Sequence, residues 1–274
     1  MKKARVLVLA GYGLNCDYET EYAFELAGAE AKRVHINSLI RREVSLHDFH
    51  ILVFVGGFSW GDDHGAGVLQ AVRLKANIGD ELLRFVQDGR LILGICNGFQ
   101  ALVNTGLLPG FDGDYSTRSV ALTANDSGNF RDDWVHLRAN AQSPCVFTRG
   151  ISGLDLPIRH GEGKFYAAGP VIQKLLKNQQ VALTYAMEDG TPAMGRHPEN
   201  PNGSVADIAG ICDPTGRVFG LMPHPEAYSH PTNHPLWTRA KQSLKRQGKT
   251  MPEGLPPGVR ILENAVKEAE KTIL

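Results

Sequence analysis

The chain has 274 residues, 42% of them hydrophobic and 21% charged, enough apolar material for a substantial core and no bias toward disorder. Lys plus Arg number 29 and Asp plus Glu 29, so the formal charge is zero and there is no basic excess to hold nucleic acid or an anionic membrane. No apolar run is long enough to span a bilayer, and no cleavage signal follows the first apolar stretch, so a cytoplasmic protein is expected.

Arg5 to Ala10 is a short, nearly continuous apolar run, the pattern of a strand buried on both faces of a parallel sheet. After Gly11, Asp17 offers an N-cap, Glu19 and Glu21 occupy the first turn, and Tyr22, Ala23, Leu26 and Ala27 share one helical face before Gly28. Strands are predicted over Ala31 to His35 and Ile51 to Val55, the latter stopped by Gly56 and Gly57. Two helices follow, over Val68 to Ala76 and Asp80 to Gln87. Arg90 to Ile95 is a fourth strand, continued by a helix from Gly98 to Asn104 that Gly106 ends.

This alternation predicts an α/β fold, a doubly wound, mostly parallel central sheet with flanking helices and with functional groups at the carboxyl ends of its strands. From Ser119 the runs become shorter and β-like: Ser119 to Thr123, Trp134 to Leu137, Leu156 to His160, Val181 to Ala186, Val205 to Cys212 and Arg217 to Met222. They are expected to extend or decorate the same sheet. Asp189 to Gly203 reads as an ordered loop. The tail carries a helix near Leu236 to Arg246, a Pro and Gly linker from Gly248 to Gly258 and an amphipathic helix from Arg260 to about Thr272. One domain over 1–274 is expected, with 229–274 as a C-terminal extension.

The four cysteines, Cys16, Cys96, Cys145 and Cys212, have no C-x-x-C spacing, which argues against a zinc knot and a disulfide framework. His224, His230 and His234 crowd into a Pro-rich loop without an acidic or thiolate set, so no metal site is expected. Gln247 to Thr250 resembles the end of a phosphate loop, but Ser243 stands where Gly is needed and a helix precedes it. Gly11 and Gly13 are too short a match to a dinucleotide fingerprint. No cofactor is expected on this chain.

Gly94-Ile-Cys96-Asn-Gly98 falls between a strand and a helix, the context of a nucleophile elbow. A side chain raised on so sharp a turn presses its flanking residues against other backbone, hence Gly, and a helix N-terminus favours a thiolate. The alternative is a buried structural cysteine. An attacking thiolate needs backbone donors for the oxyanion, for which the Gly57 and Asn97 amides are candidates; alternatively, Gly56 and Gly57 simply end a strand. Pro225 holds His224 extended, so that His224 and Glu226 project to one side as base and orienter, unless this is merely a Pro-rich surface turn.

Gly56 to Asp62 (G-G-F-S-W-G-D), Gly94 to Gln100, His160 to Gly163 (H-G-E-G), Asn200 to Ser204 (N-P-N-G-S) and Pro223 to Glu226 together resemble the class I glutamine amidotransferases. More narrowly, in order and approximate spacing over residues 5 to 228, they resemble the PurQ family, glutaminase subunits of phosphoribosylformylglycinamidine synthase. That resemblance implies Cys96 as nucleophile, His224 as acid and base, and Glu226 as its partner, with oxyanion N–H groups from Gly57 and Asn97. It also implies L-glutamine held by Gly56, Phe58, Gln100, His160, Gly161 and Glu162. The partners it implies are an ATP-dependent synthetase subunit, carrying the ATP and Mg, and a small third subunit. Ala227 and Lys164 stand where the family commonly has Arg. The rival readings are a stand-alone amide or γ-glutamyl hydrolase and a catalytically silent regulatory subunit.

Overall fold

The computed structural model describes residues 3–251 and 254–273, so the expected linker at 248–258 lies partly outside the described residues. The apolar runs become β1 (Arg5–Ala10), β2 (Glu30–His35), β3 (Ile51–Phe54) and β4 (Leu91–Ile95), parallel and in the order β2-β1-β3-β4. Only β2, on the edge, alternates exposed and sheltered positions; β3 and β4 are buried throughout. Between them lie α1 (Asp17–Leu26), α2 (Ile36–Ile40) and α3 (Val68–Gln87), and α4 (Asn97–Thr105) follows β4. The chain moves one way from β1 to β2 and the other way from β3 to β4. With right-handed crossovers α1 therefore lies on one face and α3 on the other.

The second half extends the same sheet. β11 (Val218–Leu221) pairs parallel with β4, and β10 (Ile208–Cys212), β9 (Val181–Ala186), β6 (Arg131–Ala139) and β7 (Gly153–His160) follow in antiparallel succession. Counting reversals, β7 points the same way as β4. This half also curls: three strands separate β7 from β11, yet the His224 amide donates to the Pro157 carbonyl of β7 at 2.8 Å. Pro157, lacking an N–H, is tolerated because β7 is an edge strand. β5 (Val120–Thr123) and β8 (Lys164–Ala167) form a separate two-stranded sheet against α4, where Phe99 stacks on Phe165.

Several boundaries differ from the sequence expectation for physical reasons. The two helices expected at 68–76 and 80–87 are one, bent at Ile78, because Ala71, Leu74, Ile78, Leu82 and Phe85 keep a single buried stripe through the bend. Asp17 is the first helical residue of α1, and Cys16 precedes it as N-cap. Residues 205–207 form a one-turn helix, not strand, since the Asp207 carboxylate binds the amides of Met194 and Gly195 and the Asn200 side chain. Unforeseen were α2, β8 and α5 (Gly169–Lys177); Pro170 in the first turn of α5 reads as a loop signal yet suits that position.

The 229–274 segment is not a uniform appendage. α6 (Trp237–Arg246) has no buried residue, whereas α7 (Pro257–Thr272) packs beside α1 and buries Val259, Ile261, Leu262, Ala265, Val266 and Ala269 in the central core. Burying its four larger aliphatic chains contributes roughly 6–12 kcal/mol of transfer free energy, an upper range. Glu268 of α7 is buried between Arg149 and Arg217, at 2.8 and 3.2 Å.

Candidate active site

β4 delivers its last residue into a tight turn. Cys96 has φ 51° and ψ −107°, a conformation costing about 1–3 kcal/mol, and is pinned by its amide to Leu221 O at 2.8 Å and by its carbonyl to the Gln100 amide at 3.1 Å. The flanking glycines are required by close approach: a Cβ on Gly98 would lie 1.9 Å from Phe54 O, and one on Gly94 would lie 2.8 Å from Gly98 O. The thiol is 4% exposed and its Sγ donates to the Arg159 carbonyl at 3.5 Å.

β11, the parallel neighbour of β4, leaves the sheet at the same rim and carries His224 in extended backbone, with Glu226 following in the one-turn helix Pro225–Ala227. His224 Nδ1 lies 2.6 Å from Glu226 Oε1, so this ring nitrogen donates to the carboxylate, and Nε2 has no hydrogen-bond partner among the described residues. Both residues are 1% exposed. Burial opposes the charged imidazole, but the Glu226 carboxylate and the adjacent Cys96 and Cys16 sulfurs outweigh it and hold the ring well above its usual range.

The strand ends around this pair supply the rest. A Cβ on Gly56 would stand 2.7 Å from the His224 ring, and one on Gly57 (φ 141°) 2.4 Å from Gly13 O, so the glycine pair makes room for imidazole and loop alike. The Asn97 amide opens α4 beside Cys96. The Asn97 side chain joins the Ser59 amide (3.3 Å), Asp62 (3.0 Å) and Gln100 (3.1 Å), while Gln100 Nε2 donates to Glu162 O at 2.6 Å and the Ala66 amide to Glu162 Oε2 at 3.2 Å. This network ties the 56–67 loop to α4 and to the H-G-E-G turn. Asp62, half-buried within it, has its carboxyl raised to about 6 by burial and, against the Asn97 bond, by repulsion from Glu162.

Of the residues expected to hold glutamine, Gly56, Phe58, Gly161 and Glu162 lie around the rim, with Phe58 exposed and facing Phe130 at 6.0 Å. Gln100 and His160 are different: both are buried, and their polar atoms point inward. Gln100 is committed at both ends of its amide, and the His160 ring packs on Gly163 with Nδ1 3.1 Å from Asn125 Oδ1. Burial and repulsion from His224 lower His160 to about 3, so it is a neutral brace. Asn202 and Ser204 of the N-P-N-G-S block support the same turn through Gly163 O and the Phe165 amide.

Arg159, Glu19 and Cys16 were not foreseen. Arg159 extends from β7 to within 3.8 Å of Glu226 and 3.3 Å of His224 Nδ1 and pairs with Glu19 at 2.9 Å. With Ala227 after the His-Pro-Glu motif, the guanidinium at the carboxylate comes from this distant strand. Cys16 faces the imidazole from the loop after β1, and burial pushes its thiol up to about 11. The only sequence signals were the place of Arg159 beside the H-G-E-G block and of Cys16 just past a strand end.

The chain matches the profile of the CobB/CobQ-like glutamine amidotransferase domain over residues 3–267. It is 46% identical over 267 residues to the phosphoribosylformylglycinamidine synthase subunit PurQ of Methanococcus maripaludis, covering 97% of this chain and 98% of that one. With the subunit of the same name from Dehalococcoides mccartyi it is 45% identical over 271 residues, 99% and 100% of the two chains. Among solved structures, one chain of PurLQS from Thermotoga maritima superposes with a TM-score of 0.70 at 28% identity, covering 97% of this chain and 99% of that one. Likeness of this extent takes in sheet, elbow and α7 together, and the chain belongs to the CobB/CobQ-like glutamine amidotransferase family.

Proposed function

We infer that this chain is the glutaminase subunit of a phosphoribosylformylglycinamidine synthase, hydrolysing L-glutamine and passing ammonia to an ATP-dependent synthetase subunit in purine biosynthesis. The observation that carries it is an elbow cysteine beside a buried His–Glu pair, in a chain that aligns end to end with relatives of that name. The PurLQS neighbour supports a multi-subunit assembly with the synthetase and a small third subunit.

The Cys96 thiol gives its proton to His224 Nε2, whose Nδ1–H is already committed to Glu226. The sulfur attacks the side-chain amide carbon of glutamine, and the amides of Gly57 and Asn97 receive the oxyanion. As the C–N bond breaks, His224 protonates the nitrogen and ammonia leaves a γ-glutamyl thioester on Cys96. Water, deprotonated by His224, hydrolyses the thioester to glutamate and restores the thiol. Gly56, Phe58, Gly161 and Glu162 line the glutamine; Gln100 and His160 brace them from behind. Every step uses a sulfur, an imidazole and backbone donors, so ATP and Mg are assigned to the synthetase. Free ammonia in neutral water becomes non-nucleophilic ammonium, which is why direct transfer is needed. The cytoplasm, where nucleotides and ATP are made and used, is the proposed location.

The test is glutamine hydrolysis by wild type and Cys96→Ala, each alone and with a synthetase subunit, formylglycinamide ribonucleotide and ATP. Weak hydrolysis alone, stimulation by the synthetase, and a loss of about 10⁴-fold or more in the variant are expected. Full turnover alone with no response to the synthetase would instead identify a free-standing hydrolase. A wild type inert even in the complex would identify a silent subunit, and an active Cys96→Ala would remove the sulfur from the mechanism.

A further inference from the structure

Four metal-ligand-like side chains converge at the imidazole: Cys16, Glu19, His224 and Glu226 each place one donor atom within 4.8 Å of the others. A borderline cation such as zinc would suit that mixed set, but a guanidinium already lies among them. The Arg159 terminal nitrogen is 2.9 Å from Glu19 Oε1, 3.3 Å from His224 Nδ1 and 3.8 Å from Glu226 Oε1. The Glu226 side chain is 0% exposed, and its Oε2 has no hydrogen-bond partner among the described residues. The imidazole by itself holds this carboxylate at one oxygen, about which it could still rotate.

We propose that Arg159 is a positioning residue of the glutaminase site: anchored by Glu19, its guanidinium fixes the Glu226 carboxylate against His224 and offsets the negative charge that the imidazole feels. The proposal rests on the glutaminase reading for its function and on geometry alone for its placement.

The groups facing His224 are Cys16 and Glu19 from the start of α1, Cys96 from the elbow, Arg159 and His160 from β7, and Glu226 from its own turn. Burial keeps the Cys16 thiol neutral, at about 11, and His160 neutral, at about 3. Glu226, the Cys96 sulfur and the nearby Glu19 carboxylate favour imidazolium. Among the described residues that face the ring, Arg159 is the one fixed positive charge, and it opposes them. His224 must yield its proton to departing ammonia and then take one from water, so a ring held too basic slows the first of these steps. Removing the guanidinium takes away the positive charge that opposes protonation of the ring, and the pH profile moves to higher pH. Removing the Glu19 charge moves it the other way.

The experiment follows the rate of Cys96 alkylation by iodoacetamide against pH, read by peptide mass, alongside glutamine hydrolysis in the full chain with its synthetase. Arg159→Met is expected to raise the alkylation midpoint by about half a pH unit or more and to lower kcat about tenfold with little change in KM. Arg159→Lys keeps the charge and returns the midpoint to the wild-type value, with kcat only partly restored because the fork is lost. Glu19→Gln lowers the midpoint. An Arg159→Met protein with a native circular dichroism spectrum and an unmoved midpoint would overturn the proposal. If Arg159→Met does not fold, an unmoved midpoint in Glu19→Gln overturns it equally. Should the wild type fail to hydrolyse glutamine, the functional reading falls, while the alkylation midpoints still decide the role of Arg159.

Discussion

Cys96 shows how a local rule becomes chemistry. Its positive φ, the close approach of Gly98 to Phe54 O and the hydrogen bond its amide donates to Leu221 O are consequences of turning a buried parallel strand straight into a helix. For that reason the G-x-C-x-G pentad was legible in sequence. Asp62 is the opposite case: it closes the G-G-F-S-W-G-D block, but nothing in that block shows that its carboxylate is half-buried beside Glu162. In the fold its pKa rises from 3.8 to about 6, so between those values the native state keeps a proton that the unfolded chain releases, and stability falls as pH rises through that window. Asp62→Asn keeps the acceptor for Asn97 and removes the buried charge. It is expected to be about 1 kcal/mol more stable than wild type near neutral pH, discounting for partial exposure, and to lose that advantage once both chains are below the unfolded pKa. Urea denaturation on either side of the window checks this; an advantage that persists in acid would contradict the cause given.

At the scale of elements, period and punctuation located β1, β3, β4, α1 and α4 to within a residue or two, because each shows its own apolar pattern between clear start and stop signals. The five-residue α2 was missed, as were α5, which opens on Gly-Pro, and β8, which follows a Gly-rich stretch, both signals that read as loop. α7 was visible as a helix but not as a support for the site. Its Gly258 sits where a Cβ would lie 2.2 Å from Pro225 O and 3.0 Å from Tyr228, so the helix start abuts the turn that carries Glu226. Gly258→Ala is therefore expected to displace that turn and to lower kcat about tenfold or more while binding of the synthetase is retained. Steady-state kinetics with the synthetase present reads this directly, and an unchanged kcat would show that the turn is positioned without α7.

Across the whole molecule, the curl of the antiparallel half is what assembles the site. It brings the edge strand β7 back to the rim where β4 and β11 end, closing the His224 amide onto Pro157 O. If that bond closes the sheet as a unit, the His224 amide should exchange with deuterium as slowly as the amides of β4, well below the rate of the exposed α6. Fast exchange at His224 would mean the rim opens independently of the core. At that rim the Cys96 thiol is nearly closed off from solvent.

What this sequence determined by itself was the winding of the parallel half and the elbow, the His-Pro-Glu pair and the glycines between them. Those depend on residues adjacent in the chain, whose steric and hydrogen-bonding demands leave a pattern of fixed spacing. Only the tertiary structure decided that Arg159, Glu19 and Cys16 surround the imidazole, that Gln100 and His160 face inward, and that α7 belongs to the core. Each of these depends on the handedness and curl of a nine-stranded sheet, which sum small twists over many strands and leave no spacing in the chain to read.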